Sequence, residues 1–249
     1  IVSFAKNEDC EGLVYEFSYS TDYFNGLCED GLPVWGEWYY SGNNRSDYFV
    51  GFFDDKGYRW RGTYHFGGGD YVTGENFKEM KSKNDLNYNF FGRYQWVNGQ
   101  SQIGYMIGTN LSGFGAYLFV DDPSGLERES ELGVFSHGND NQSYLSGYGA
   151  RETKSGTYVG FWNKGAIANG DYYFEDNNGN VSRYRRSGEY SYGPYSLNSS
   201  DRSRYNNIMD YLESGLDDLT NRMAVIDQYI DDYNTISDTY IAEYDSLDQ

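Results

Sequence analysis

The stretch that most limits what this chain can fold into is Gly156 to Gly179, GTYVGFWNKGAIANGDYYFEDNNG. It holds one small device twice. Gly160-Phe161-Trp162 precedes a turn at Asn163-Lys164-Gly165, and Gly170-Asp171-Tyr172 precedes a turn at Asn177-Asn178-Gly179. Strand side chains alternate between faces, so a ring two residues after a glycine shares its face. The glycine itself lets a neighbouring backbone or ring come close. Asn-Lys-Gly and Asn-Asn-Gly supply the residues that accept positive φ in tight hairpins. The pattern predicts strand, turn, strand, turn, with rings striping one face.

The device recurs at Gly36-Glu37-Trp38, Gly51-Phe52-Phe53, Gly62-Thr63-Tyr64, Gly92-Arg93-Tyr94, Gly115-Ala116-Tyr117, Gly133-Val134-Phe135 and Gly188-Glu189-Tyr190. Neighbouring glycines often stand about 10 to 12 residues apart, giving a repeat of about 23, within the range of stacked units. The best stretch, with Tyr158, Gly160, Trp162, Gly165, Gly170, Tyr172 and Gly179, resembles a MORN repeat. Gly51, Phe53, Gly57, Gly62 and Tyr64 match less fully, and Gly92, Tyr94, Gly99 and Gly104 more loosely. The resemblance spans about residues 34–192, and 75–89 and 121–132 read as insertions in it. It implies a mainly β fold, an antiparallel β-hairpin solenoid, and a scaffold or assembly role without enzyme activity.

Three segments follow. Residues 1–33 carry Cys10 and Cys28 around an alternating strand, 14–19, and read as an N-terminal cap closed by a disulfide. Residues 34–192 are the β-repeat domain. Residues 197–249 lose nearly all glycine and read as a long helix. Its apolar positions include Tyr205, Ile208, Leu212, Leu216, Leu219, Met223, Ile226, Ile230, Tyr233, Tyr240 and Tyr244. From Leu216 onward they alternate by three and four, a heptad seam, with a stutter between Leu212 and Leu216. Ser199, Ser200 or Asp201 is placed to cap its start. Past Arg222 there is no Lys or Arg, while Asp227, Asp231, Asp232, Asp238 and Glu243 continue. Identical helices side by side would repel, so two readings stand. The helix lies on a sheet, its own or a neighbour's, or Leu219, Met223, Ile226, Ile230, Tyr233, Tyr240 and Tyr244 form an oligomerisation seam.

Charge narrows the partners. A formal net charge of -19 argues against nucleic acid as a partner, because phosphate binding needs basic residues, and disfavours anionic membranes. No apolar run reaches the length of a membrane span. Two cysteines in a secreted chain would close a short loop, stabilising it by about 3 kcal/mol. The alternative is a pair of buried thiols. Sequons start at Asn44, Asn110, Asn141, Asn180 and Asn198, mostly in expected turns, as candidate N-glycosylation sites. A start at Ile1 is what removal of a leader would leave. These features lean towards a secreted or cell-surface protein.

Catalytic signatures do not emerge. His65 and His137 are the two histidines, and neither falls in a zinc spacing. No serine sits in a nucleophile elbow, and Gly67-Gly68-Gly69 lacks the lysine of a phosphate loop. With 38 acidic residues, nearby carboxylates carry no information. Asp54-Asp55, Asp121-Asp122 and Glu175-Asp176 at turns could bridge calcium, the one cofactor the sequence suggests. The expectation is a non-enzymatic extracellular structural protein that self-associates, or joins another extracellular protein, through the solenoid's ends and the C-terminal helix. The alternative is a glycan- or receptor-binding module whose aromatic sheet face, led by Trp35, Trp38, Trp60, Trp96 and Trp162, stacks on its ligand.

Overall fold

A computed structural model of the chain describes residues 7–19, 21–41, 46–78, 89–122, 124–138 and 142–247, with side chains to Ala242. Asn44, Asn141 and the Tyr244 side chain lie outside them. The protein is mainly β, an open run of antiparallel hairpins followed by one long helix, α1 (Ser199–Leu247). Contacts divide the chain into two compact units. The first joins residues up to Val97 with those from Arg222 onward, and the second runs from Asn98 to Asn221.

The first unit holds β1 (Gly12–Tyr19), β2 (Asp22–Glu29), β3 (Leu32–Tyr39), β4 (Tyr48–Phe53), β5 (Arg59–His65), β6 (Tyr71–Lys78) and β7 (Asn89–Gln95). Each pairs antiparallel with the next. The glycines meet directly across the strands: Gly26 with Gly36, Gly36 with Gly51, Gly51 with Gly62, Gly62 with Gly74, and Gly74 with Gly92. This row is closely packed. A Cβ on Gly51 would stand 2.2 Å from the Arg61 carbonyl oxygen and 2.7 Å from the Gly62 Cα. Rings two residues away on the same face fold over the row. Phe24, Trp38, Phe49, Phe53, Tyr64, Phe90 and Tyr94 are all buried. The ring of Phe24 lies over Gly26 and that of Phe49 over Gly62.

The second unit holds β8 (Ser101–Ile107), β9 (Asn110–Leu118), β10 (Arg128–His137), β11 (Ser143–Thr153), β12 (Gly156–Asn163), β13 (Ala166–Ile167), β14 (Gly170–Asp176), β15 (Val181–Ser187) and β16 (Tyr190–Tyr195). β13 pairs only with β12, and the path continues from β12 to β14. The row recurs as Gly104–Gly115–Gly133–Gly149–Gly160. Here Met106, Leu111 and Leu145 take covering positions that rings fill in the first unit. The row stops at Gly160, since Gly170 pairs with Arg186.

Three expectations change. The boundary at residue 33 falls inside β3, and β2 already pairs with β3 through the glycine register, so the cysteine segment continues the sheet. The reading of 75–89 as an insertion overlaps strand β6, and that of 121–132 overlaps β10. The helix cap is Asn198, with the three neighbouring candidates inside the helix. Its Oδ1 accepts the Asp201 N–H at 2.8 Å, while the Asp201 carboxylate accepts the Asn198 N–H at 3.2 Å. This reciprocal pair satisfies backbone donors that a helix start leaves open.

The helix seam faces the chain's own strands. In the second unit Tyr205 and Leu212 are buried with Val159 and Tyr173. In the first, Tyr233 packs on Trp35 and Phe52 with ring centroids 6.1 and 6.0 Å apart, and Tyr240 lies 5.3 Å from Trp35. Buried positions recur every seven residues at 205, 212, 219, 226 and 233. Leu216 is 42% exposed, so the expected stutter has the wrong partner. Gly215 faces the sheet instead, where a Cβ would collide with the Phe114 ring. The missing bases of the helix are supplied by the sheet. Arg93 meets Asp227 at 2.8 Å, and Arg61 lies 3.9 Å over the Tyr229 ring. Arg222 bonds Glu75 at 2.8 Å while covering Phe91. Each exposed ion pair contributes about 0–1 kcal/mol, so apolar burial at about 1.5–3 kcal/mol per side chain sets the docking.

Candidate functional site

Three arrangements of polar or aromatic groups stand out, and they differ in what they can do. The first is an ion network in the second unit. Glu131, 3% exposed, accepts from Arg151 at 2.6 Å and stands 3.7 Å from Arg128. Arg128 binds Asp122 through two nitrogens, at 2.9 and 2.8 Å. Burial raises the Glu131 carboxyl above its ordinary range against the pull of Arg151, whereas the Arg128 hydrogen bonds hold Asp122 well below its own. Arg151 also covers Trp162 at 4.4 Å. Every charge has an opposite partner, which fits a buried brace between strands. A pair of carboxylates open to a substrate would be arranged otherwise.

The second arrangement is a ladder of rings on the helix-facing side of the first unit. Tyr23, Tyr39, Tyr48, His65 and Tyr71 stack in turn, with centroids 4.7, 5.4, 4.3 and 5.8 Å apart. Burial lowers the pKa of His65. Rings stacked on one another have their faces occupied and present edges, so the ladder is no platform for a sugar. The tryptophans fare similarly: Trp38 and Trp162 are buried in the glycine-row face, Trp35 lies under α1, and Trp96 is half-buried. Trp60, 36% exposed, stacks against Arg61 and Tyr229.

The third is an apolar hollow of about 440 Å³ where β1 to β3 meet the last turns of α1. Sequence places its parts as follows. Val14 pairs with Gly26 and Phe17 with Phe24, so Tyr15 and Glu16 form a bulge opposite Asn25. Glu16 has φ 49°, and its N–H is held by the Asn25 side chain at 2.7 Å. A bulge re-aims a strand's side chains, and Tyr15 is left 78% exposed. Leu13 and Ile241 are 42% and 58% exposed at the hollow's rim, over a floor of Trp35, Tyr233 and Tyr240. Burial pushes the Tyr233 hydroxyl up to about 12, so it stays neutral. Cys10 and Cys28, both buried, form a disulfide that ties the start of β1 to β2.

The strand at the other end, β16, is exposed along its whole length, with Tyr190 at 69%, Tyr192 at 51% and Tyr195 at 42%. Pro194 removes a backbone donor from it, and Arg185 stands exposed on β15. Bulge and proline both blunt a sheet edge against plain strand pairing. What the two ends offer is therefore side chains.

The remaining sequence candidates disperse. Gly51, Phe53, Gly62, Tyr64, Gly92, Tyr94, Gly160, Trp162 and Tyr172 are parts of the row and its cover, and Gly170 lies beyond it. The proposed oligomerisation seam is not free: Leu219, Met223, Ile226 and Tyr233 are buried within one chain, with Ile230 and Tyr240 half-buried. Asn110 is 3% exposed and leaves no space for a glycan, whereas Asn180 and Asn198 are exposed. Among the described residues no three acidic, histidine or cysteine side chains converge on a metal position. The Asp54 and Asp176 carboxylates instead hold the N–H groups of their own turns. No described helix is long and apolar enough to cross a membrane.

Sequence reasoning missed the hollow and the ion network, because the hollow joins strands near the start of the chain to the helix near its end, and the network depends on the register that sets Glu131 opposite Arg151. The bulge at Tyr15 had no signal of its own, since Tyr15-Glu16-Phe17 keeps the apolar–polar alternation of a regular strand. No protein-family model matches the chain, and no curated protein matches its sequence.

Proposed function

We propose that this chain is a non-catalytic, extracellular structural module that assembles with further copies of itself through the two ends of its strand run. The observation that carries this reading is the contrast in how surfaces are used. The helix seam, Trp35, Trp38, Trp162 and the buried charges are satisfied within the chain, while apolar side chains cluster exposed at β16 and around the hollow at β1, besides exposed ones elsewhere such as Val97, Leu118 and Phe161. Exposed apolar clusters of this kind are characteristic of interaction surfaces. Ends of repeat arrays that lack a polar cover associate. The Cys10–Cys28 disulfide and the net charge of -19 support an oxidising, extracellular setting, and the resemblance to MORN repeats supports a scaffold role.

Light scattering over a concentration series tests the reading. The weight-average mass rises with concentration if it holds. A mass fixed at 28.6 kDa into the millimolar range, with and without calcium, refutes it. The glycan-binding alternative has less support, since rings in the ladder and in the glycine-row face are packed against one another.

A further inference from the structure

The two ends of the strand run are chemically unlike, and the difference has a sign. Residues 7–31, which form β1, β2 and their turns, contain seven acidic side chains and no basic one. The helix segment beside them is acidic too, with Asp238 exposed next to Tyr240 and Ile241. Glu16 is exposed on the bulge, and Glu37 lines the hollow. Residues 181–196, forming β15 and β16, carry Arg183, Arg185 and Arg186 against the single acid Glu189. Arg183 is committed to Asp171 and Asp201, whereas Arg185 stands exposed.

We infer that the hollow at Leu13, Tyr15, Trp35, Tyr240 and Ile241 receives the tyrosine-bearing β16 strand of a second copy, with Arg185 and Arg186 set against Glu16 and Asp238. The inference rests on the assembly reading above and specifies its surfaces. Chemistry favours this occupant over another acidic end. Two copies each carrying a net charge of -19 repel, so their contact needs a local patch of opposite sign. The β15–β16 end provides one, together with three exposed tyrosines. Tyrosine suits such a hollow, combining a large apolar body, few rotatable bonds and a polar tip. A contact between unlike surfaces leaves one hollow and one β16 unfilled after each addition, so it propagates until a ring closes or a fibre grows.

Two variants test this directly. Ile241→Asp disables the hollow, and Tyr192→Asp with Arg185→Glu disables β16. These side chains are exposed, and circular dichroism with thermal melting verifies that the variants fold. Sedimentation velocity is run on each alone and on an equimolar mixture. Each variant alone associates at least about tenfold more weakly than wild type, the scale of losing an interface anchor. The mixture forms a one-to-one complex through its one intact pair of ends and grows no further. Charge exchange adds a second arm: Glu16→Lys with Asp238→Lys weakens association with wild-type β16 and regains it with an Arg185→Glu/Arg186→Glu partner.

Either end variant associating alone as wild type does, or a mixture no larger than its components, overturns the inference. If wild type associates while both variants are indifferent, assembly stands and these surfaces are wrong. If wild type stays monomeric throughout, the assembly reading falls with them.

Discussion

Replacing Gly51 with alanine attacks the feature on which the strand run depends. The new Cβ would stand 2.2 Å from the Arg61 carbonyl oxygen, 2.7 Å from the Gly62 Cα and 3.1 Å from the Arg61 carbonyl carbon. All three are backbone atoms, so no rotamer change relieves the clash. Gly51 also has φ 151°, which a side chain rarely adopts. Such strain costs about 1–3 kcal/mol, and forcing an extra methyl into a packed site costs about 1–3 kcal/mol more. The sum, about 2–6 kcal/mol, is a large share of the roughly 5–15 kcal/mol that stabilises an ordinary domain. Gly68→Ala is the control, because a Cβ there meets nothing within 4 Å. Urea unfolding followed by tryptophan fluorescence is the assay. Gly51→Ala lowers the midpoint by at least about 0.7 M, at a slope of about 1–3 kcal/mol per M, or fails to fold, while Gly68→Ala stays close to wild type. Equal midpoints for the two variants would refute the glycine-row account.

Other predictions follow from particular contacts. Asn198→Ala removes the helix cap, costs about 1 kcal/mol and lowers the thermal midpoint, whereas Ser199→Ala leaves it nearly unchanged. Cys10→Ser with Cys28→Ser removes the disulfide and costs about 3 kcal/mol, read as a lower urea midpoint that added reductant does not lower further. The half-buried His65 has a pKa below its unfolded value of 6.5, so the unfolded chain takes up its proton first. Stability is therefore full above about pH 6.5 and falls as pH drops from there towards the lowered folded pKa. His65→Phe removes that component from the pH dependence of the urea midpoint between pH 7.5 and 5.5.

Much of the β architecture was legible locally. A glycine, a ring two residues later and an Asn-rich turn define a hairpin whatever surrounds it, as at Gly160-Phe161-Trp162 and the turn after it. The cross-strand alignment of Gly26, Gly36, Gly51, Gly62, Gly74 and Gly92 depends on loop lengths and bulges summed over several hairpins, which local spacing does not determine. The helix was legible as a helix, and its seam as apolar. Its partner was not, because the strand residues that receive it, Arg93 against Asp227 and Arg61 over the Tyr229 ring, are placed by the fold and not by the helix's own sequence. Leu216 misled for a related reason: in the structure Gly215 lets Phe114 close against the helix, and the leucine turns outward. At the candidate site, Tyr15 and Ile241 lie over 200 residues apart in the chain, and only folding brings them to one hollow.

The most direct test of the account is electron microscopy of the intact protein across a concentration series. Particles joined one to the next through unlike ends, longer or closed into rings as concentration rises, are the predicted result. Isolated single particles at every concentration, or pairs joined only through like ends, would contradict it.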